Sequence, residues 1–217
     1  MTLKSIISEN IGTLIFIGAA LVIVFLYFFI KRYFDVVAPK KRLESNDSEM
    51  SLKTVKRILE KYVKRNDGRA IYDIEVGSNR TKGSADAVLI GYFGVLVVIT
   101  CALSGDLFVN DKDPNLIQKI KEDRRIHENP ILKAQQAMKA VTELLREKRV
   151  FRVPVEYCVV FTASKTNVNV PRSLNGYTAK EFSEVLRTDR FLNDNKVDVD
   201  ATTNAILGMS PKNKTKK

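Results

Sequence analysis

The chain has 217 residues, of which 45% are hydrophobic and 28% charged, with a formal net charge of +11, one histidine and two cysteines. The hydrophobic share is ordinary for a globular protein, and a lone histidine excludes a multi-histidine metal centre. Cys101 and Cys158 both fall inside apolar strand-like runs. They read as small buried hydrophobes of a reducing compartment rather than as a disulfide or metal pair.

After a short segment at residues 1–10, residues 11–30 (IGTLIFIGAALVIVFLYFFI) contain no charge. Twenty helical residues at about 1.5 Å each cover the roughly 30 Å hydrocarbon core of a bilayer, so this stretch is expected to be an uncleaved transmembrane helix. Lys4 alone precedes it among the basic residues, while Lys31, Arg32, Lys40, Lys41 and Arg42 follow. That asymmetry predicts a single-pass protein with its C-terminal part in the cytoplasm. Lys4 and Glu9 cancel, so the whole net charge belongs to residues 31–217. Such a charge suits an anionic lipid surface through the basic flank, or nucleic acid nonspecifically. Residues 31–50, polar and basic with Pro39, read as a linker, and residues 51–208 as one α/β domain. Residues 209–217, with Lys212, Lys214, Lys216 and Lys217, read as a disordered basic tail.

Within the domain, Leu52, Val55, Leu59 and Tyr62 recur at helical spacing over residues 51–64, and Asn66-Asp67-Gly68 stops that helix. A strand is expected at residues 69–76, with Ile71 and Asp73 on one face and Tyr72, Ile74 and Val76 on the other. Residues 85–105 (ADAVLIGYFGVLVVITCALSG) parse as two apolar runs joined across Gly91-Tyr92-Phe93-Gly94, the pattern of a tight hairpin. A turn centred on Tyr92-Phe93 makes opposed residue numbers sum to about 185, which sets Asp86 against Ile99 with Cys101 further along the same face. Both faces of the runs are apolar, so the hairpin belongs mid-sheet with elements covering both sides. A carboxylate there costs several kcal/mol unless it is paired, protonated or metal-bound, so Asp86 is the residue to explain.

Residues 105–110 (GDLFVN) suggest a short fourth strand. Residues 111–129, highly charged and holding Pro114 and His127, read as a surface excursion with a short helix at 116–125 and an exposed histidine. Asn129 as cap and Pro130 at the first helical position open a helix to about Lys148, with the stripe Ile131, Ala134, Met138, Val141 and Leu145. A buried strand at 153–162 has Glu156 as its only charge. Thr178 and Glu181 form a capping box for a helix burying Phe182, Val185 and Leu186, and residues 198–207 form a last helix ending at Gly208. No internal repeat and no glycine-rich phosphate loop is present.

The order helix, three antiparallel-connected strands, helix, strand, further helices, with an aspartate in the second strand, resembles the restriction-endonuclease-like core of the PD-(D/E)XK nucleases. More specifically, the domain resembles the nuclease-related domain, NERD, which often accompanies membrane anchors in bacterial proteins. The resemblance runs over about residues 51–207. It is carried by the ungapped spacing from Asp86 through the two apolar runs to Ser104-Gly105, by Asn129-Pro130, and by the Val159-Val160-Phe161 strand.

The resemblance implies a mixed sheet flanked by helices. In active members, the aspartate and the glutamate of a Glu-x-Lys motif hold a divalent ion, Mg or Mn, while the lysine positions water. Here Ile99 stands at the glutamate position and Cys101 at the lysine position. The glutamine implied for the helix after Asn-Pro is Lys133, with Gln135 and Gln136 displaced. Asp86 therefore reads as the remnant of a metal site, as a satisfied structural carboxylate, or as part of a site rebuilt with Glu60, Asp73, Glu75 or Asp106. The leading expectation is a catalytically inactive domain that needs no cofactor and acts by binding nucleic acid, anionic membrane or protein. The alternatives are an active metal-dependent DNA nuclease with relocated ligands and a purely structural membrane-tethered adaptor.

Overall fold

The computed structural model describes residues 11–32, 48–77, 81–110, 112–163 and 166–208, with the side chains of residues 11–17, 48 and 172 outside that description. The chain divides into two units, Met1–Asn46 and Asp47–Lys217. In the first, helix α1 spans Ile11–Arg32. Its described side chains from Leu21 to Ile30 are all exposed apolar groups. Among the described residues, however, no helix is long and apolar enough to cross a membrane, so the fold gives the expected span no support. Lys31 and Arg32 end this helix. Lys40, Lys41, Arg42, most of the linker and the basic tail lie outside the described residues.

The second unit opens with helix α2 (Ser48–Asn66), longer at both ends than its apolar stripe indicates. Val55, Leu59 and Tyr62 are buried, and Asp67, in the left-handed region at φ +47°, turns the chain out of the helix. Strands β1 (Arg69–Gly77), β2 (Lys82–Gly91) and β3 (Gly94–Cys101) follow. The β2–β3 ladder runs from Gly91 opposite Gly94 to Ala87 opposite Val98, the register the sequence predicts. Gly94 has φ +132°, and a Cβ there would lie 2.3 Å from the Pro154 carbonyl oxygen, so only glycine fits.

These strands belong to a five-stranded sheet of order β1-β2-β3-β7-β9, in which β7 (Val155–Phe161) runs parallel to β3, and β9 (Gly176–Thr178) parallel to β7. Alternation sends Val88, Ile90, Val95, Val97, Ile99 and Cys101 into one apolar cluster and Ala87, Leu89, Leu96 and Val98 into another. Helix α3 (Pro130–Glu147) covers the first face. Its cap is as expected: the Asn129 side chain accepts from the Ile131 N–H at 2.9 Å, while its Nδ2 donates to the Asn110 and Asp113 carbonyls. The second face is covered by α2, by α4 (Ala179–Val185) with its Thr178/Glu181 capping box and fully buried Phe182, and by α5 (Asp189–Leu192). Helix α6 (Val199–Leu207), capped by Asp198, adds Ala205 and Ile206 to the first cluster.

Two expectations need correction. The described residues 112–129 hold no helix; together with β4 (Gly105–Phe108) and β8 (Thr166–Asn169), they form a second sheet of order β6-β5-β4-β8 through the hairpin β5 (Asn115–Ile120) and β6 (Asp123–Glu128). The buried positions Leu116 and Gln118 alternate as a strand requires, with an amide at a position usually held by an apolar side chain. His127 on β6 is half-buried rather than exposed, at 2.8 Å from Gln118 Oε1. The second correction is the phase of β1. Asp73 has φ +49°, so the alternation breaks there: Ile71, Ile74 and Val76 serve the first cluster, while Tyr72 serves the second.

Candidate functional site

The site is built where the central strands separate. Tyr72 pairs with Ala87 and Ile74 with Ala85, which sets Asp73 across from Asp86. Asp86 shares the phase change of its neighbour, since Ala85 and Val88 both enter the first cluster while Ala87 enters the second. The β2–β3 pairing ends at Ala87, the residue next to Asp86. Beyond it, the Thr100 N–H takes a side-chain acceptor: it donates to Asp86 Oδ2 at 2.6 Å, and the Thr100 hydroxyl lies 2.8 Å from the same oxygen. The other oxygen, Oδ1, lies 3.9 Å from Lys133 Nζ on α3, with both side chains partly exposed.

The remaining positions turn away from polar chemistry. Ile99 is 2% exposed and packs in the first cluster. Cys101 is buried there too, as a free thiol. Burial pushes the Cys101 thiol up to about 11, and the neighbouring Asp86 charge adds to the rise, so at neutral pH the enclosed thiol is protonated. Gln135 donates to the Tyr157 hydroxyl at 3.2 Å and Gln136 to the Lys82 carbonyl at 3.0 Å, so neither reaches Asp86.

Of the other acidic candidates, Asp73 lies across from Asp86 in the strand register and the rest lie elsewhere. Glu60 is exposed on α2, where its charge helps burial raise the Tyr72 hydroxyl to about 12. Asp73 and Glu75 are exposed on β1. Asp106 sits in the second sheet, accepting from Asn167 Nδ2 at 3.1 Å. Among the described residues no three histidine, cysteine, aspartate or glutamate side chains gather where they could hold a metal ion.

Asp86 stands out in the sequence as the lone carboxylate of the hairpin; Thr100, its partner, has a fainter signal, its place as the one hydroxyl in the apolar run from Val95 to Leu103. The approach of Lys133 has a weaker signal, its position near the N-terminus of a helix whose apolar stripe must face the same sheet surface.

A family model of the nuclease-related domain matches residues 47–162. The chain belongs to the NERD family. Its general context is the PD-(D/E)XK superfamily. The match takes in α2, all of β1 to β6, α3 and β7, so Asp86, Thr100 and Lys133 lie within it. No curated protein and no solved structure matches the chain.

Proposed function

We propose that this NERD domain is a non-hydrolytic nucleic-acid-binding module, held at a membrane by residues 11–30 and working without a metal cofactor. The observation that carries the first part is the state of Asp86. Its Oδ2 accepts two bonds from Thr100, and its Oδ1 faces the Lys133 ammonium. A hard divalent ion needs several oxygen donors, and phosphodiester hydrolysis needs that ion to activate water and to neutralise charge on the phosphate. Here the engaged Asp86 carboxylate stands with an isoleucine and a protonated thiol at the motif positions, and its cross-strand neighbour Asp73 is exposed, a donor set that does not fit Mg²⁺ or Mn²⁺. Lys133 places a positive charge beside Asp86, which answers the charge of the carboxylate without an ion.

The binding part is supported by the net charge of +11 carried outside residues 1–30, which suits a phosphate backbone and makes affinity fall with salt. Membrane attachment is supported by the uncharged run at 11–30, by the apolar groups exposed from Leu21 to Ile30, and by the basic pair Lys31-Arg32 at its end.

The test is a nicking assay. The purified full chain, incubated with supercoiled plasmid and Mg²⁺ or Mn²⁺, leaves the plasmid intact while retaining it in a gel-shift assay at low salt. Metal-dependent nicking that disappears in Asp86→Ala would overturn the reading.

A further inference from the structure

We infer that the solvent face of the second sheet is a binding surface for single-stranded nucleic acid, an assignment that rests on the domain being a nucleic-acid binder. The register of β8, β4, β5 and β6 lays its side chains out in two parallel rows. Asn167, Asp106, Lys119 and Arg124 are successive cross-strand neighbours, and two residues along lie Asn169, Phe108, Ile117 and Ile126. Alternation sends the intervening Leu107, Leu116 and Gln118 inward, where all three are buried. The outward rows are open: Phe108 is 43% and Ile126 66% exposed, and Lys119, Arg124, Asn167 and Asn169 are exposed as well.

A polar and basic row beside an aromatic and apolar row is what an unpaired strand requires. The cations meet the backbone phosphates, while an exposed ring offers a platform for a base, whose own faces are free only when it is not stacked within a duplex. The charges complement that ligand: Lys119 and Arg124 oppose each other directly, and the single carboxylate of the row, Asp106, is turned to Asn167 by a 3.1 Å hydrogen bond. Asp106, Lys119, Lys121 and Asn167 border an open cavity of ≈ 370 Å³ at this end of the face. At about 4.8 Å between strands, the rows extend roughly 14 Å from β8 to β6, a track rather than a pocket. On β8, Asn169 lies beside the Phe108 ring, where its amide supplies a donor and an acceptor for a base edge.

The test uses the full chain in mild detergent and a fluorescent oligo(dT) probe, with binding followed by anisotropy at low salt. Phe108→Ala weakens binding roughly fivefold to a hundredfold, the range for loss of one base–aromatic stack, and Phe108→Tyr restores it. The pair Lys119→Glu and Arg124→Glu weakens binding further and flattens its salt dependence. All these positions are exposed, so melting followed by circular dichroism stays close to that of the parent chain. A duplex of the same length binds less tightly and is insensitive to Phe108→Ala.

If the parent chain binds oligo(dT) and the three variants bind equally well, this face is not the site, although the domain remains a nucleic-acid binder. If the parent chain retains plasmid duplex but does not bind oligo(dT), the single-strand assignment falls while the domain remains a nucleic-acid binder; if it binds neither, both readings fall. If the variants lose binding only to vesicles of anionic and neutral phospholipid, the surface is a lipid contact. If they lose only self-association in the ultracentrifuge, it is an interface between copies. Either result overturns the inference.

Discussion

Thr100 is bound to Asp86 twice, through its backbone N–H at 2.6 Å and its hydroxyl at 2.8 Å, both to the same carboxylate oxygen. The pair closes the gap that opens just past the β2–β3 ladder. A strand N–H that loses its backbone partner in a partly buried place costs free energy unless another acceptor arrives, and the aspartate is that acceptor. The residue that most resembles a catalytic carboxylate thereby has a structural explanation that stands on its own.

Replacing Asp86 separates the acceptor from the charge. Asp86→Ala strands the Thr100 N–H and is expected to lower stability by about 1–3 kcal/mol. Asp86→Asn keeps an oxygen for Thr100 and loses the contact with Lys133, which is partly exposed on both sides and worth up to about 1 kcal/mol. Urea unfolding at constant slope measures both. Equal losses, or a stabilising Asp86→Ala, would show that the oxygen is not holding the strands.

The Cys101 thiol gives a signature at high pH. Its value in the folded chain is raised from 9.0 to about 11, first by burial, so folding disfavours the thiolate. That contribution is fully present below pH 9 and is lost as pH rises through about 11. Tyr62, raised to about 12 by burial, acts in the same direction at higher pH. Folded chain is expected to resist thiol-reactive dye at pH 8 and to react quickly once denatured. Rapid labelling of the native chain would contradict the protonated, enclosed thiol.

His127 works in the opposite sense. Burial and the nearby Arg125 charge lower its value below 6.5. Gln118 donates its amide to the Ser104 carbonyl at 2.7 Å, so its oxygen faces the His127 Nε2, which carries the proton in the neutral ring. The contribution of this pair is present above pH 6.5 and declines as pH falls below it. His127→Gln should flatten the acid limb of the stability profile. An unchanged limb would place the sensitivity elsewhere.

The central hairpin was legible because glycines at both ends of a two-residue turn, and apolar runs on both sides, leave one register that buries everything. The Asn129 and Thr178 caps were equally readable, since each is decided by residues close in sequence. The second sheet was not. Its strands expose one face, its buried row contains Gln118 and half-buried His127, and charges from Lys119 to Arg125 mask the period of two. Asp73 escaped for another reason: a left-handed residue inside a strand shifts the phase without changing composition. The clamp around Asp86 joins residues 14 and 47 positions away in sequence, and only tertiary packing brings Lys133 over β2.

Calorimetric titration of Mn²⁺ into the full chain, with Asp86→Ala as the paired control, bears most directly on the account. It predicts that the two titrations superimpose, with no heat that depends on Asp86. Saturable binding in the parent chain that vanishes in Asp86→Ala would contradict it, because it would mean that the carboxylate gives up Thr100 and Lys133 to hold a metal ion.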